Sequence, residues 1–157
     1  MKLPTARATR TRRSLLKGAS LFAFASWLPA RAAEESIPDI PELAQFLAGR
    51  RLRWERVRLE LPQLADNGQA VPMKVAVAGP FAPGAEVRSI HLFSEKNPVP
   101  LIAQFDFPES LPRVELESRV RLAGTQHLVA VASLGDGTLL AASTEVVVTI
   151  AACLDGT

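Results

Sequence analysis

Val71-Pro72-Met73-Lys74-Val75-Ala76-Val77 sets an apolar side chain at every second position, with a lysine on the intervening face. Successive side chains of a strand point to opposite sides, so this period of two describes a strand with Val71, Met73, Val75 and Val77 turned towards a core. The same period runs outward in both directions. Upstream, Val57, Leu59 and Leu61 alternate with Arg56, Arg58 and Glu60, and Pro62 to Gly68 connects the two runs, with Asn67-Gly68 as a turn signal. Downstream, Gly79-Pro80 and Pro83-Gly84 break the pattern before a strand from Val87 to Ser94. Glu95 to Pro100 is a loop whose two prolines forbid a regular ladder. Leu101, Ala103, Phe105 and Phe107 alternate next. Val114, Leu116, Val120 and Leu122 form a long strand, and Leu128 to Leu134 another. Gly135-Asp136-Gly137 is a hairpin turn into a last strand from Thr138 to Ile150.

About seven strands with little helix between them predict an all-β fold, an immunoglobulin-like antiparallel sandwich over residues 53–150. A short helical segment precedes it within residues 33–52. Asp39 stands at its N-cap position, Pro41 and Glu42 lie in its first turn, and Ile40, Leu43, Phe46 and Leu47 recur at helical spacing up to Gly49. This helix is expected to pack on the side of the domain.

The first 32 residues read as a leader. Thr11-Arg12-Arg13-Ser14-Leu15-Leu16-Lys17 is a twin-arginine signal, followed by an apolar stretch from Gly18 to Leu28 and the small-x-small box Ala30-Arg31-Ala32. The apolar run is too short to span a bilayer, which takes about twenty residues. The expectation is export to the periplasm by the twin-arginine route, cleavage near Ala32, and no membrane attachment afterwards. Seven of the eighteen Lys and Arg lie at or before Arg31 and none of the sixteen acids does, so the rest of the chain has 11 − 16 = −5. The overall excess of base belongs to the leader and gives no reason to expect nucleic-acid binding.

The chain has a single cysteine, Cys153. Exported proteins usually pair their cysteines as disulfides. Cys153 has no internal partner, which leaves a free thiol, an intermolecular link, or an attachment site. It stands in Ala151-Ala152-Cys153-Leu154-Asp155-Gly156-Thr157, a tail past the last predicted strand (151–157). No base accompanies it in sequence. The two histidines, His91 and His127, each fall on a predicted strand with apolar neighbours, and no ligand spacing suggests a metal. No catalytic residue and no cofactor are expected. Arg50, Arg51, Arg53, Arg56 and Arg58 form a basic cluster that reads as a solvated face or a docking patch for an acidic partner. Glu95-Lys96-Asn97-Pro98 reads as a partner-contact loop or a plain turn.

Several blocks of this chain together resemble the SoxY family of sulfur-oxidation proteins. They are the twin-arginine leader, Leu59-Glu60-Leu61-Pro62 with Ala65-Asp66-Asn67-Gly68 and Val71-Pro72, the block Ser89-Ile90-His91-Leu92-Phe93-Ser94-Glu95-Lys96-Asn97-Pro98-Val99-Pro100, and Val146-Val147-Val148-Thr149-Ile150 leading into the tail. The resemblance implies a carrier that is not itself an enzyme. Sulfur intermediates would be held covalently on Cys153, in a heterodimer with a SoxZ subunit. The carrier would be served by a haem c protein that couples thiosulfate, a SoxB-like hydrolase and a sulfur dehydrogenase. The family tail reads Gly-Gly-Cys-Gly-Gly. Here Ala151 and Ala152 precede the cysteine and Leu154 and Asp155 follow it. These residues are more restricted than glycine, and Asp155 adds an anion near the thiol. Two other readings stand beside the carrier: an immunoglobulin-like periplasmic adaptor that has lost the carrying role, and a thiol enzyme.

Overall fold

The computed structural model describes residues 38–150 apart from Ser110 and Pro112. Arg12, Arg13 and the leader, and Cys153 with its tail, lie outside the described residues. The elements in chain order are α1 (Pro41–Leu47), β1 (Leu52–Arg53), β2 (Val57–Glu60), β3 (Leu64–Ala65), β4 (Val71–Val77), β5 (Val87–Ser94), β6 (Leu101–Asp106), β7 (Val114–Val120), β8 (Gln126–Leu134) and β9 (Leu139–Val148). They form two sheets. The larger runs β1-β9-β8-β5-β6, with β3 also paired to β9, and the smaller runs β2-β4-β7. The two sheets make the expected immunoglobulin-like sandwich.

The core between the sheets follows the period of two. Val71, Met73, Val75 and Val77 of β4 face Ile90 and Leu92 of β5, Leu128, Ala130 and Ala132 of β8, and Leu140, Val146 and Val148 of β9. The outer face of the small sheet is charged, and Lys74 bridges Glu115 and Glu117 across the β4–β7 register.

Helix α1 covers part of the outer face of the larger sheet. Ile40, Leu43 and Leu47 pack on Phe93, Val129, Val131, Leu139 and Ala141, with Phe46, Leu52 and Trp54 around them. β5 and β8 are therefore buried on both faces, which explains why Ile90 to Phe93 and Leu128 to Ala132 read as continuous buried runs. The helix start differs from expectation. Ile40, not Asp39, holds the N-cap position in extended conformation, no side chain caps it, and Pro41 follows at the first helical position. Pro41 has no N–H to satisfy, which lowers the need for a capping side chain. The helix ends at Ala48 in the left-handed region (φ 46°), before Gly49 at φ 81°.

A short strand, β1, precedes the first predicted one, which begins at Val57 as β2. Arg56 turns the chain at φ 63°. Before it, β1 joins the larger sheet parallel to β9, and after it, β2 joins the smaller sheet antiparallel to β4. Arg56 is held by bonds from its guanidinium to the carbonyls of Ala78 (2.8 Å) and Pro80 (2.5 Å), over the ring of Phe81 (4.7 Å). β3, a two-residue segment, lay hidden in the stretch read as a connection.

Candidate functional site

The described chain delivers the cysteine tail from one end of the sandwich. β9 is held there from both sides. On one side β3 runs parallel to it, with Leu64 opposite Val147 and Ala65 opposite Val148. The Val147 N–H donates to the Gln63 carbonyl (2.9 Å) and the Thr149 N–H to the Ala65 carbonyl (3.0 Å), while the Thr149 hydroxyl donates to the Asp66 carbonyl (2.7 Å). The Gly68 N–H donates to the Ile150 carbonyl (2.8 Å). On the other side, the Val148 N–H donates to Thr125 Oγ1 (3.0 Å). The backbone is thus fixed up to Ile150. Cys153 follows three residues later. An extended residue spans about 3.3–3.6 Å, so its Cα lies within about 11 Å of that of Ile150.

Beneath this point a polar network ties three loops together. Gly68 accepts a bond from the Leu122 N–H (2.8 Å). Asn97 reaches across from the loop after β5: its Nδ2 donates to the Arg121 carbonyl (2.8 Å), and its Oδ1 accepts from the Ala123 N–H (2.9 Å) and from Gln126 Nε2 (3.0 Å). Gln126 Oε1 in turn accepts from the Lys96 N–H (2.8 Å). Glu95 accepts from the backbone N–H of His127 (3.0 Å) and lies 3.3 Å from its Nδ1. The backbone bond from His127 is the main reason the Glu95 carboxyl sits below its ordinary range. The Glu95–Pro98 segment is therefore a structured loop anchored to the β7–β8 connection.

Gln126 is the residue that sequence reasoning missed. It is 1% exposed at the start of β8, a buried polar side chain next to the apolar run Leu128–Ala132. That contrast was the available signal. Gln126→Leu will leave the Lys96 N–H without its acceptor and remove one donor from Asn97. We expect a loss of about 1–3 kcal/mol, read as a lower urea midpoint, with faster amide exchange at Lys96.

The basic cluster is not one patch. Arg50 bonds the Leu47 and Phe46 carbonyls at the end of α1 and lies over the Phe46 ring. Arg56 is held as above. Arg58 pairs with Glu60 at 2.6 Å, and Arg53 stands 3.9 Å from Glu55.

The histidines are apart. His91 lies under α1, its ring 4.4 Å from that of Phe46, with Nδ1 3.5 Å from Ser89 Oγ. Its partner across β8 is Val131, four residues from His127 and so about 14 Å along the strand. No three His, Cys, Asp or Glu residues are grouped to hold a metal among the described residues. Burial pushes the His91 imidazole below the ordinary 6.5, with Asp106 pulling the other way. The unfolded chain then takes up a proton that the folded chain refuses. Stability is complete above about pH 6.5 and declines as pH falls towards the lowered value. The lowered carboxylates Glu95, Glu115 and Asp136 add their loss only at more acidic pH. A urea midpoint that falls between about pH 7.5 and pH 5, with a smaller fall in His91→Leu, is the expected result.

The sequence matches the family described as "Sulfur oxidation protein SoxY" over residues 43–153, from α1 through the lone cysteine. The chain belongs to the SoxY family. SoxY proteins serve sulfur oxidation as carriers rather than enzymes, in the periplasm and in partnership with SoxZ. No curated protein matches the sequence. Among solved structures, the chain is similar to a superoxide reductase (neelaredoxin) from Ignicoccus hospitalis, at 20% identity over 60% of this chain and 80% of that one, TM-score 0.47. It is also similar to a hypothetical protein from Pyrococcus horikoshii OT3 (17% identity, 60% of this chain and 95% of that one, TM-score 0.45). A superoxide reductase from Nanoarchaeum equitans shows 15% identity over 61% of this chain and all of that one, TM-score 0.43. Likeness at this level says nothing of what the SoxY chain does.

Proposed function

We propose that this SoxY-family chain carries sulfur intermediates covalently on Cys153 during oxidation of thiosulfate or another reduced sulfur compound. It would work in the periplasm after twin-arginine export led by Arg12 and Arg13, as a heterodimer with a SoxZ-type subunit. The observation that carries the reading is the family match, which runs through the only cysteine of the chain.

The chemistry needs only an exposed thiolate. In the loading step a sulfur–sulfur bond forms between Cys153 and the outer sulfur of thiosulfate. Two electrons leave to the haem c partner, and the product is Cys–S–S–SO3−. A SoxB-like hydrolase then uses water to release sulfate and two protons, leaving Cys–S–S−. A sulfur dehydrogenase oxidises the remaining outer sulfur with oxygen from water, passing the electrons to its own acceptor. The carrier keeps the Cys153 carbon–sulfur bond throughout and stays attached to its load.

Intact-mass measurement of the protein from its host grown on thiosulfate, with and without reductant, tests the reading. Reductant-sensitive additions that map to Cys153 support it. An unmodified thiol in a host oxidising thiosulfate points to the second reading, a periplasmic adaptor of the same fold. Ala151, Ala152, Leu154 and Asp155 in place of the family glycines favour that alternative.

A further inference from the structure

Residues 38–50 are joined to the sheets by side-chain packing alone. Among the described residues, every hydrogen bond of this segment stays inside it: Ile40 to Pro38, Ala44 to Ile40, Ala48 to Ala44 and Gln45, and Arg50 to Leu47 and Phe46. The ion pairs among the described residues all lie elsewhere. α1 has seven residues and no side-chain cap, and a helix of that length does not hold in water by itself. Past it the chain turns at Ala48 and Gly49, and nothing lies within 4 Å of where a Gly49 Cβ would stand. From Leu52 the pairing with β9 fixes the backbone again. The segment is a short helix on a hinge, kept down by its apolar face.

That packing contains one titratable group. His91 is 8% exposed, with the ring of Phe46 at 4.4 Å and that of Phe93 at 6.4 Å, centroid to centroid. Its Nδ1 has Ser89 Oγ at 3.5 Å, the outer limit of a hydrogen bond. β8 sets Val131 opposite it, and β6 sets Gln104, whose amide is bonded to Asp106. The Phe46 ring also carries the Arg50 guanidinium, 5.6 Å from its centre. Glu42, in the first turn of α1, is exposed. An imidazolium here would be shut between aromatic rings and would share Phe46 with a second cation. Burial outweighs the pull of Asp106, so the closed site favours the neutral ring.

We propose that α1 is an acid-released cover: to take up a proton His91 must be wetted, and lifting α1 on the Gly49 hinge wets it while the sandwich stays folded. The other route to water would break β5 from its ladders with β6 and β8. Segments with few bonds to their surroundings open first. Acid then uncovers Phe93, Val129, Val131, Leu139 and Ala141 of the sheet. With the helix lifted, His91 titrates near the ordinary 6.5. The cover is therefore closed most firmly above about pH 6.5. Each pH unit below that, down to the lowered value of the closed site, favours the open form by up to about tenfold. The device does not depend on what Cys153 carries.

Amide exchange of the full chain at low urea, between about pH 7.5 and pH 5, tests this. Protection at Ala44 to Ala48 should fall by up to about tenfold per pH unit below about pH 6.5. It should hardly depend on urea, because lifting α1 exposes little surface. Val75 and Ala130, in the core, should stay better protected and respond steeply to urea. His91→Leu should abolish the fall at α1. Asp106→Asn, at an exposed position on the edge strand β6, should keep the fold and move the fall to lower pH. His127→Gln should leave it unchanged. Protection at α1 that is constant over this pH range overturns the proposal. So do α1 amides with the protection and urea slope of Val75, since the helix would then leave only when the whole domain unfolds. A fall that survives in His91→Leu, or stays in place in Asp106→Asn, overturns it as well.

Discussion

Cys153→Ser will fold as the unaltered protein does and, under the proposed carrier role, will lose every reductant-sensitive sulfur addition. The two halves of this expectation have separate grounds. Among the described residues the apolar core closes at Val148, and the last backbone bond that fixes the final strand is made at Ile150. Cys153 is a party to none of these bonds. The chemistry fails because a serine hydroxyl neither forms a sulfur–sulfur bond nor ionises near neutral pH, and the chain has no second thiol. Tetrathionate provides a direct assay. The Cys153 thiolate attacks an inner sulfur, the central sulfur–sulfur bond breaks, thiosulfate departs with the electron pair, and Cys–S–S–SO3− remains. No oxidant is required. Intact mass before and after reductant should show this adduct on the unaltered protein and none on the variant. An adduct that persists on Cys153→Ser would sink the proposed attachment site.

Phe93→Ala should have the largest effect on stability, about 3–5 kcal/mol. Phe93 is 1% exposed and stands at the centre of the cluster that joins α1 to the larger sheet. Phe46 of the helix lies 5.5 Å from it, centroid to centroid, and His91 stacks at 6.4 Å. α1 has seven residues. A helix of that length does not hold in water without tertiary packing. The variant should therefore lose more than a ring's worth of contact. Amide exchange across Pro41–Leu47 should rise towards that of an unfolded segment, and the pH dependence of stability should weaken as His91 becomes hydrated. A urea midpoint close to that of the unaltered protein, with α1 still protected, would show that the helix is held by other contacts.

The strands were legible in the sequence because one face of nearly every strand is buried against the other sheet, and burial on one face writes a period of two. The pattern fails where burial has another cause. Ile90 to Phe93 and Leu128 to Ala132 lose alternation because α1 lies on their second face. The turn at Arg56 between β1 and β2 was not visible, since a positive φ at an arginine has no sequence marker. It rests on contacts with Ala78, Pro80 and Phe81, more than twenty residues away. β3 escaped notice for a related reason: two residues are too few to show a period, and their partner is the far end of the chain. In the site, the Glu95–Pro98 loop stood out by its prolines. Its anchor, Gln126, is one polar residue whose importance comes from Asn97 and Lys96, both about thirty residues distant.

The parallel pairing of β3 with β9 has a mechanical consequence. Under the proposed carrier role, an enzyme that took hold of Cys153 would pull on the chain at Ile150, roughly along β9. The bonds made by Val147, Thr149 and Gly68 run between neighbouring strands, across that pull. They are sheared together and share the tension, whereas a hairpin end would open one bond at a time like a zip. If the proposed carrier role holds, the sandwich would keep its shape under each such pull.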